Sequence, residues 1–353
     1  MSILIGQMHC NALNKYNRLS NVVKAENNIV ALNIKTFGAK GDNKTDDANA
    51  IQAALNQGSG RAVFFPKGNY RISKTLNVLS GTEIIGEGDI GSVAGSSILP
   101  LNDVKTFAIF TSNTSILEDV IFRNIRTLRA KYSLSLNVSK GYLTKIKWYN
   151  CVFQEHDICI NVIGSEVNGM YANIFRDCYF KSSKLGIFCQ GSYNINIIQG
   201  CGFENMGNGY IKLNGSNSAN LSNSFIENRC ESVTDFHGIA IDLNKNTFGF
   251  YINRNYFENS FETIIKTNGA RNIDFSNNTY TNSNQSRFGL ILINGGDATI
   301  RNNISLTGFI LSITDEGYCS ELIANRSLNL SNSVKKENLG IVNNLYNNKF
   351  NTK

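Results

Sequence analysis

Six short segments of the chain place a further residue directly after a large one, and those further residues are Gln154, Lys181, Glu204, Glu227, Glu258 and Thr281. Three in succession, Glu204, Glu227 and Glu258, are carboxylates. If the segments stack as neighbouring strands about 4.8 Å apart, the like charges repel. Without cations beside them, at least one is expected to hold its proton tightly enough to act as a general acid. Glycoside hydrolysis uses carboxylates in this way. Adjacent strands, with a spacing near 5 Å, suit retention, whereas Glu204 and Glu258, two strands or roughly 10 Å apart, leave room for water and suit inversion.

Ten residues between Asn228 and Ile239, RCESVTDFHG, interrupt an otherwise regular spacing. They bring Arg229, Glu231, Asp235 and His237 beside Glu227, on the kind of long loop where function concentrates. The expected catalytic set is therefore Glu204, Glu227, Glu258, Asp235 and His237. A second column reads Asn161, Phe188, Lys212, Asp242, Lys266 and Leu292, in which two lysines flank Asp242. Cross-strand pairing is expected to keep Asp242 ionised, and the lysines could hold a substrate carboxylate. Arg229, Glu231, Lys181, Lys212, Asp242 and Lys266 are the expected substrate-binding residues. Elimination next to a uronate carboxylate is the alternative chemistry, with His237 and Arg229, or a lysine of the Lys212 and Lys266 pair, as base and neutraliser. His156 reads as a turn histidine, and His9 receives no role.

The elements that position these residues follow from a repeat. NCVFQE, DCYFKS, GCGFEN, NSFIEN, RNYFEN and NNTYTN align Phe153, Phe180, Phe203, Ile226, Phe257 and Tyr280, in steps of 27, 23, 23, 31 and 23 residues. A second series aligns Ile160, Ile187, Ile211, Ile241, Ile265 and Ile291, and a third aligns Trp148, Phe175, Ile198, Leu221, Ile252 and Phe275. Three short strands per repeat of about 23 residues, each with one apolar residue turned inward, describe one rung of a β-solenoid. Cys151, Cys178, Cys201 and Ser224 form a column of small side chains. Asn205, Asn228, Asn259 and Asn282 form an asparagine ladder at the turns.

Composition agrees with many short strands and tight polar turns: 2 prolines and 30 glycines among 353 residues. The net charge of +7 is spread thinly, with no basic run and no nucleic-acid-binding motif, so an acidic polymer is the better expected partner. Eight cysteines without CxxC spacing argue against a zinc site, and neither a metal nor a cofactor is expected. The first residues are too weakly apolar for a signal peptide, and no stretch reaches the length of a membrane helix, so export by a route other than secretion is expected, with no membrane insertion.

Residues 37–88 contain FGAKGD, TDD and AIQAAL, then VFFPKGNYRIS and SGTEIIGEG. Thr45 is the expected N-cap of a short helix, with Asp46 and Asp47 in its first turn. Together these motifs resemble the opening of the pectate-lyase-like superfamily. The resemblance implies an all-β chain, a single-stranded right-handed parallel β-helix with a short N-terminal capping α-helix. The expected divisions are 1–36 as an extension, 37–320 as the β-helix and 321–353 as a polar tail. The NTD, DD, GHG and RIK set of polygalacturonases and the DPHE motif of uronan C5-epimerases are missing. What remains is similar to phage tailspike depolymerases, which implies a polysaccharide substrate, hydrolysis more readily than lyase chemistry, a virion location and a homotrimer. A carbohydrate-binding solenoid without turnover stands as the non-enzymatic alternative.

Overall fold

The computed structural model describes residues 31–88, 95–214, 220–231, 238–259, 263–281, 289–306, 309–313, 317–323, 325–327 and 342–346. From Leu32 onward the described residues form an all-β parallel solenoid with one α-helix among them. Its strands lie in a first sheet of 13, a second of 12, a third of 10 and a fourth of 4. The chain visits the sheets in turn, so strands adjacent in space are one rung apart in sequence. The strands Gly317–Ile323 and Val342–Tyr346 continue the first sheet past residue 320, where the sequence suggested a polar tail.

Helix α1, Ala48–Leu55, buries Ala48, Ile51, Ala54 and Leu55. Thr45 is not its N-cap: it lies in the strand Asp42–Asp46, and its hydroxyl donates to Asp42 at 2.8 Å. The helix begins after Asp47, and Asp46 Oδ1 accepts the N–H of Ala48 at 3.1 Å. Asp47 instead accepts the N–H groups of Lys40 and Gly41, at 2.6 and 2.9 Å. These carboxylates are therefore spent on backbone donors that would otherwise lack partners.

The isoleucine column runs as the sequence implies, from Ile160 through Ile187, Ile211, Ile241 and Ile265 to Ile291. The other two columns need correction at one rung. Phe203 pairs with Cys230, not Ile226, and Ile198 pairs with Phe225, not Leu221. The error is four residues. Ile226-Glu227-Asn228 imitates Phe203-Glu204-Asn205, but it ends a longer strand of the first sheet, Asn220–Ile226. The actual register buries Phe225 completely and leaves Leu221 44% exposed. A phenyl ring in the core is worth roughly 1.5–3 kcal/mol over one in water, so the longer strand wins over the look-alike motif. The 31-residue step disappears: 27 residues separate Phe203 from Cys230, and 27 separate Cys230 from Phe257.

The same slip relocates Asn228. It follows Cys151, Cys178 and Cys201 in one buried column, in the place expected for Ser224, and passes on to Asn255, Asn278, Asn303 and Asn325. Each of these side-chain oxygens accepts the backbone N–H of the rung before, at 2.9–3.0 Å. Each side-chain nitrogen donates to a carbonyl, as Asn255 does to Phe225 at 2.9 Å. Asn205 and Asn259 hold the left-handed turn expected of them, with φ of 53° and 45°, while Asn282 lies outside the described residues. Cys151, Cys159, Cys178, Cys189, Cys201 and Cys230 are free and buried.

His156 does occupy a turn, and it is fully buried. Its Nδ1 lies 3.1 Å from the Ala130 carbonyl and its Nε2 3.1 Å from the Thr127 carbonyl. Burial pushes its pKa down to about 4. Among the described residues, no helix is long and apolar enough to cross a membrane.

Candidate functional site

The corrected register changes the carboxylate column. In the second sheet Gln154, Lys181, Glu204, Glu231, Glu258 and Thr281 follow one another on successive rungs. Three glutamates are stacked, as the sequence implied, but the middle one is Glu231. Period-two alternation turns their neighbours Phe180, Phe203, Cys230 and Phe257 into the core. There the Phe180 and Phe203 rings stack with centroids 4.6 Å apart and planes at 3°, which holds the glutamate-bearing backbone in fixed register.

Two residues before each member of that column, on the same outward face, stand Tyr179, Gly202, Arg229 and Tyr256. Their sequence signal is the alternation itself, as in Tyr179-Phe180-Lys181 and Tyr256-Phe257-Glu258. Tyr179 donates to Glu204 at 3.2 Å, and Tyr256 donates to Glu258 at 2.9 Å. Lys181 lies 2.9 Å from Glu204, and Arg229 is bonded to Glu231. With Lys181 on Glu204 and Arg229 on Glu231, the repulsion expected of three stacked carboxylates is relieved. A Cβ on Gly202 would come within 2.3 Å of the Tyr179 ring, so only glycine lets that ring settle across the next rung. Burial and the hydrogen bond to Glu258 push Tyr256 up to about 12, so at neutral pH it remains a proton donor.

Glu227 leaves the set. It occupies the left-handed turn between the first and second sheets, with φ of 58°. There it accepts from Gln199 at 2.9 Å and pairs with Arg254 at 2.8 Å. The Gln199 hydrogen bond, with Arg254 behind it, holds its carboxyl below the usual range, the opposite of a general acid. Asp235 and His237 lie outside the described residues.

Lys212, Asp242 and Lys266 are in register on the third sheet, as expected, and so lie in a different sheet from the glutamates. Asp242 takes its hydrogen bond from the Asn268 amide, at 2.7 Å, in place of the expected pairing with its lysine neighbours. Among the described residues, no group of three or more His, Cys, Asp or Glu is arranged to hold a metal ion.

Residues 31–98 match the family described as Rhamnogalacturonase A/epimerase, pectate lyase-like. The capsule K30/K69-specific depolymerase of Klebsiella phage K64-1 is 26% identical over 62% of this chain and 26% of its own length. Depolymerase 1 of Klebsiella phage K5-2, of the same specificity, is 26% identical over 70% of this chain and 34% of its own. The chain thus spans about a third or less of these relatives. Among solved structures, ORF18 of Geobacillus virus E2 is similar with a TM-score of 0.58 at 14% identity, covering 92% of this chain and 65% of that one. The A-module of the mannuronan C-5 epimerase AlgE6 from Azotobacter vinelandii gives 0.55 at 13%, covering 89% and 95%. Both likenesses concern the fold. The coil is thus a parallel β-solenoid whose N-terminal residues are similar to a pectate-lyase-like family, and its longer matches are to capsule depolymerases of phages.

Proposed function

We propose that this chain depolymerises a bacterial surface polysaccharide by glycoside hydrolysis, with Glu231 and Glu258 as the catalytic pair. The observation that carries the reading is the run of Glu204, Glu231 and Glu258 on consecutive rungs, facing outward from a regular sheet. A glycan lying along the coil would meet them in turn. Glu231 is bonded to the Arg229 guanidinium and is assigned the nucleophile's part, whereas Glu258 takes its hydrogen bond from the Tyr256 phenol and is assigned the acid's part. Glu231 fills the space between Glu204 and Glu258, which removes the room for water that made that wider pair attractive. Adjacent rungs, about 4.8 Å apart, are near the separation of a retaining pair, so retention is the expected stereochemistry.

Lyase chemistry is the second reading, favoured by Arg229 standing opposite Tyr256 on the neighbouring strand. With its proton held up to about 12, Tyr256 is a poor base in the free protein, which supports hydrolysis over elimination. The phage relatives support a virion location, and the tailspike resemblance a homotrimer. The coil is taken as right-handed because parallel crossovers within one sheet almost always are, with α1 closing its N-terminal end.

Purified protein incubated with a panel of capsular and O-antigen polysaccharides tests the reading. New reducing ends without ultraviolet-absorbing unsaturated products support hydrolysis; polymers that never shorten contradict it.

A further inference from the structure

On the four rungs that carry Lys181, Glu204, Glu231 and Glu258, the described outward face of the second sheet has more acid than base. Glu204, Glu231 and Glu258 face two cations, Lys181 and Arg229, and both cations are engaged, with Glu204 at 2.9 Å and with Glu231. A uronate carboxylate arriving there would meet a surplus negative charge among the described residues, and Lys181 and Arg229 are already paired. Sugar hydroxyls have no such difficulty, because carboxylate oxygens accept from them directly. The two phenol rings supply the remaining element of sugar recognition, a flat apolar surface with a polar tip. Tyr179 lies across Gly202, and Tyr256 stands two rungs further along the same column. The rings therefore sit one on each side of the Arg229 and Glu231 pair.

We propose that the saccharide bound over Tyr179, Glu231 and Tyr256 is uncharged, and that the two tyrosines are the residues that select it. The inference rests on the depolymerase reading and names the substrate class of that same site. It runs against the net charge of +7, which pointed to an acidic polymer. Net charge acts over the whole surface, whereas selection at a bond depends on the few groups that touch it. Gly202 belongs to the device as well. Its backbone lies outside the left-handed region, so Gly202→Ala changes little except the space the Tyr179 ring occupies.

The test uses a polymer that the wild-type chain shortens, compared before and after chemical reduction of any uronates to neutral hexoses. The expected result is a kcat/KM unchanged within about twofold, or raised, by reduction. Loss of cleavage on reduction overturns the proposal. Tyr179→Ala and Gly202→Ala should each raise KM about tenfold with kcat nearly unchanged. KM values equal to wild type in both variants would also overturn it. If no polymer is shortened, the depolymerase reading fails, and affinity electrophoresis through neutral and uronate-containing polymers decides the inference separately. Retardation by a neutral polymer, lost in Tyr179→Ala, upholds it; retardation by uronate polymers alone, or by neither kind, overturns it.

Discussion

Glu231 and Glu258 are register partners on neighbouring rungs of the second sheet, each held by a residue two positions earlier on its own strand: Arg229 for one and Tyr256 for the other. Similar backbone positions thus carry carboxylates with different partners. That difference is what acid and nucleophile roles require.

Glu231→Gln and Glu258→Gln are expected to lower kcat by roughly 10²- to 10⁴-fold. Glu227→Gln should stay within about twofold of wild type, because Glu227 serves a turn through Arg254 and Gln199. Steady-state kinetics on one polymer settles the comparison. Equal losses in all three variants would restore Glu227 to the site.

The register of the long strand makes a separate prediction. Phe225→Ala should cost about 3–5 kcal/mol, as for other large aromatic side chains in packed cores. Leu221→Ala, at a position 44% exposed, should change stability by no more than about 0.5 kcal/mol. Urea unfolding of both variants measures the difference, and the opposite order would mean that the sequence alignment was right.

Asn255 sits mid-ladder, accepting from Asn228 and donating to Phe225. Asn255→Ala leaves the buried N–H of Asn228 without its acceptor and removes one donor from the Phe225 carbonyl, a loss of about 1–3 kcal/mol. The check is the drop in unfolding midpoint, with Asn259→Ala at a left-handed turn as the comparison.

His156 gives a pH dependence. Its folded pKa of about 4 lies below the ordinary 6.5 because burial penalises the cation. Between those values the unfolded chain takes up a proton that the native chain refuses. This part of the stability is therefore complete above about pH 6.5, falls as pH drops towards 4 and levels off below, with about 3 kcal/mol at stake. Urea midpoints at stepped pH should show that slope in wild type and lack it in His156→Asn.

The coil was legible because its signal is periodic. Six isoleucines keep one register, and a buried column tolerates little else. The site was legible in kind but displaced by one motif. Both Ile226-Glu227 and Cys230-Glu231 put an acid after an apolar residue, and only burial of Phe225 and the ladder bonds of Asn228 distinguish them. Tyr179 and Gly202 escaped attention because the Tyr179 ring folds across the next rung, a relationship between strands that no single segment displays, and Tyr256 because its bond to Glu258 depends on both side chains sharing the outward face.

The most direct test follows the anomeric configuration of the first product by proton NMR while the wild-type chain cuts a polysaccharide it accepts. The account predicts a new reducing end with the anomeric configuration of the bond that was broken. An inverted anomer would assign the chemistry to a wider pair such as Glu204 and Glu258, and an unsaturated product would contradict hydrolysis altogether.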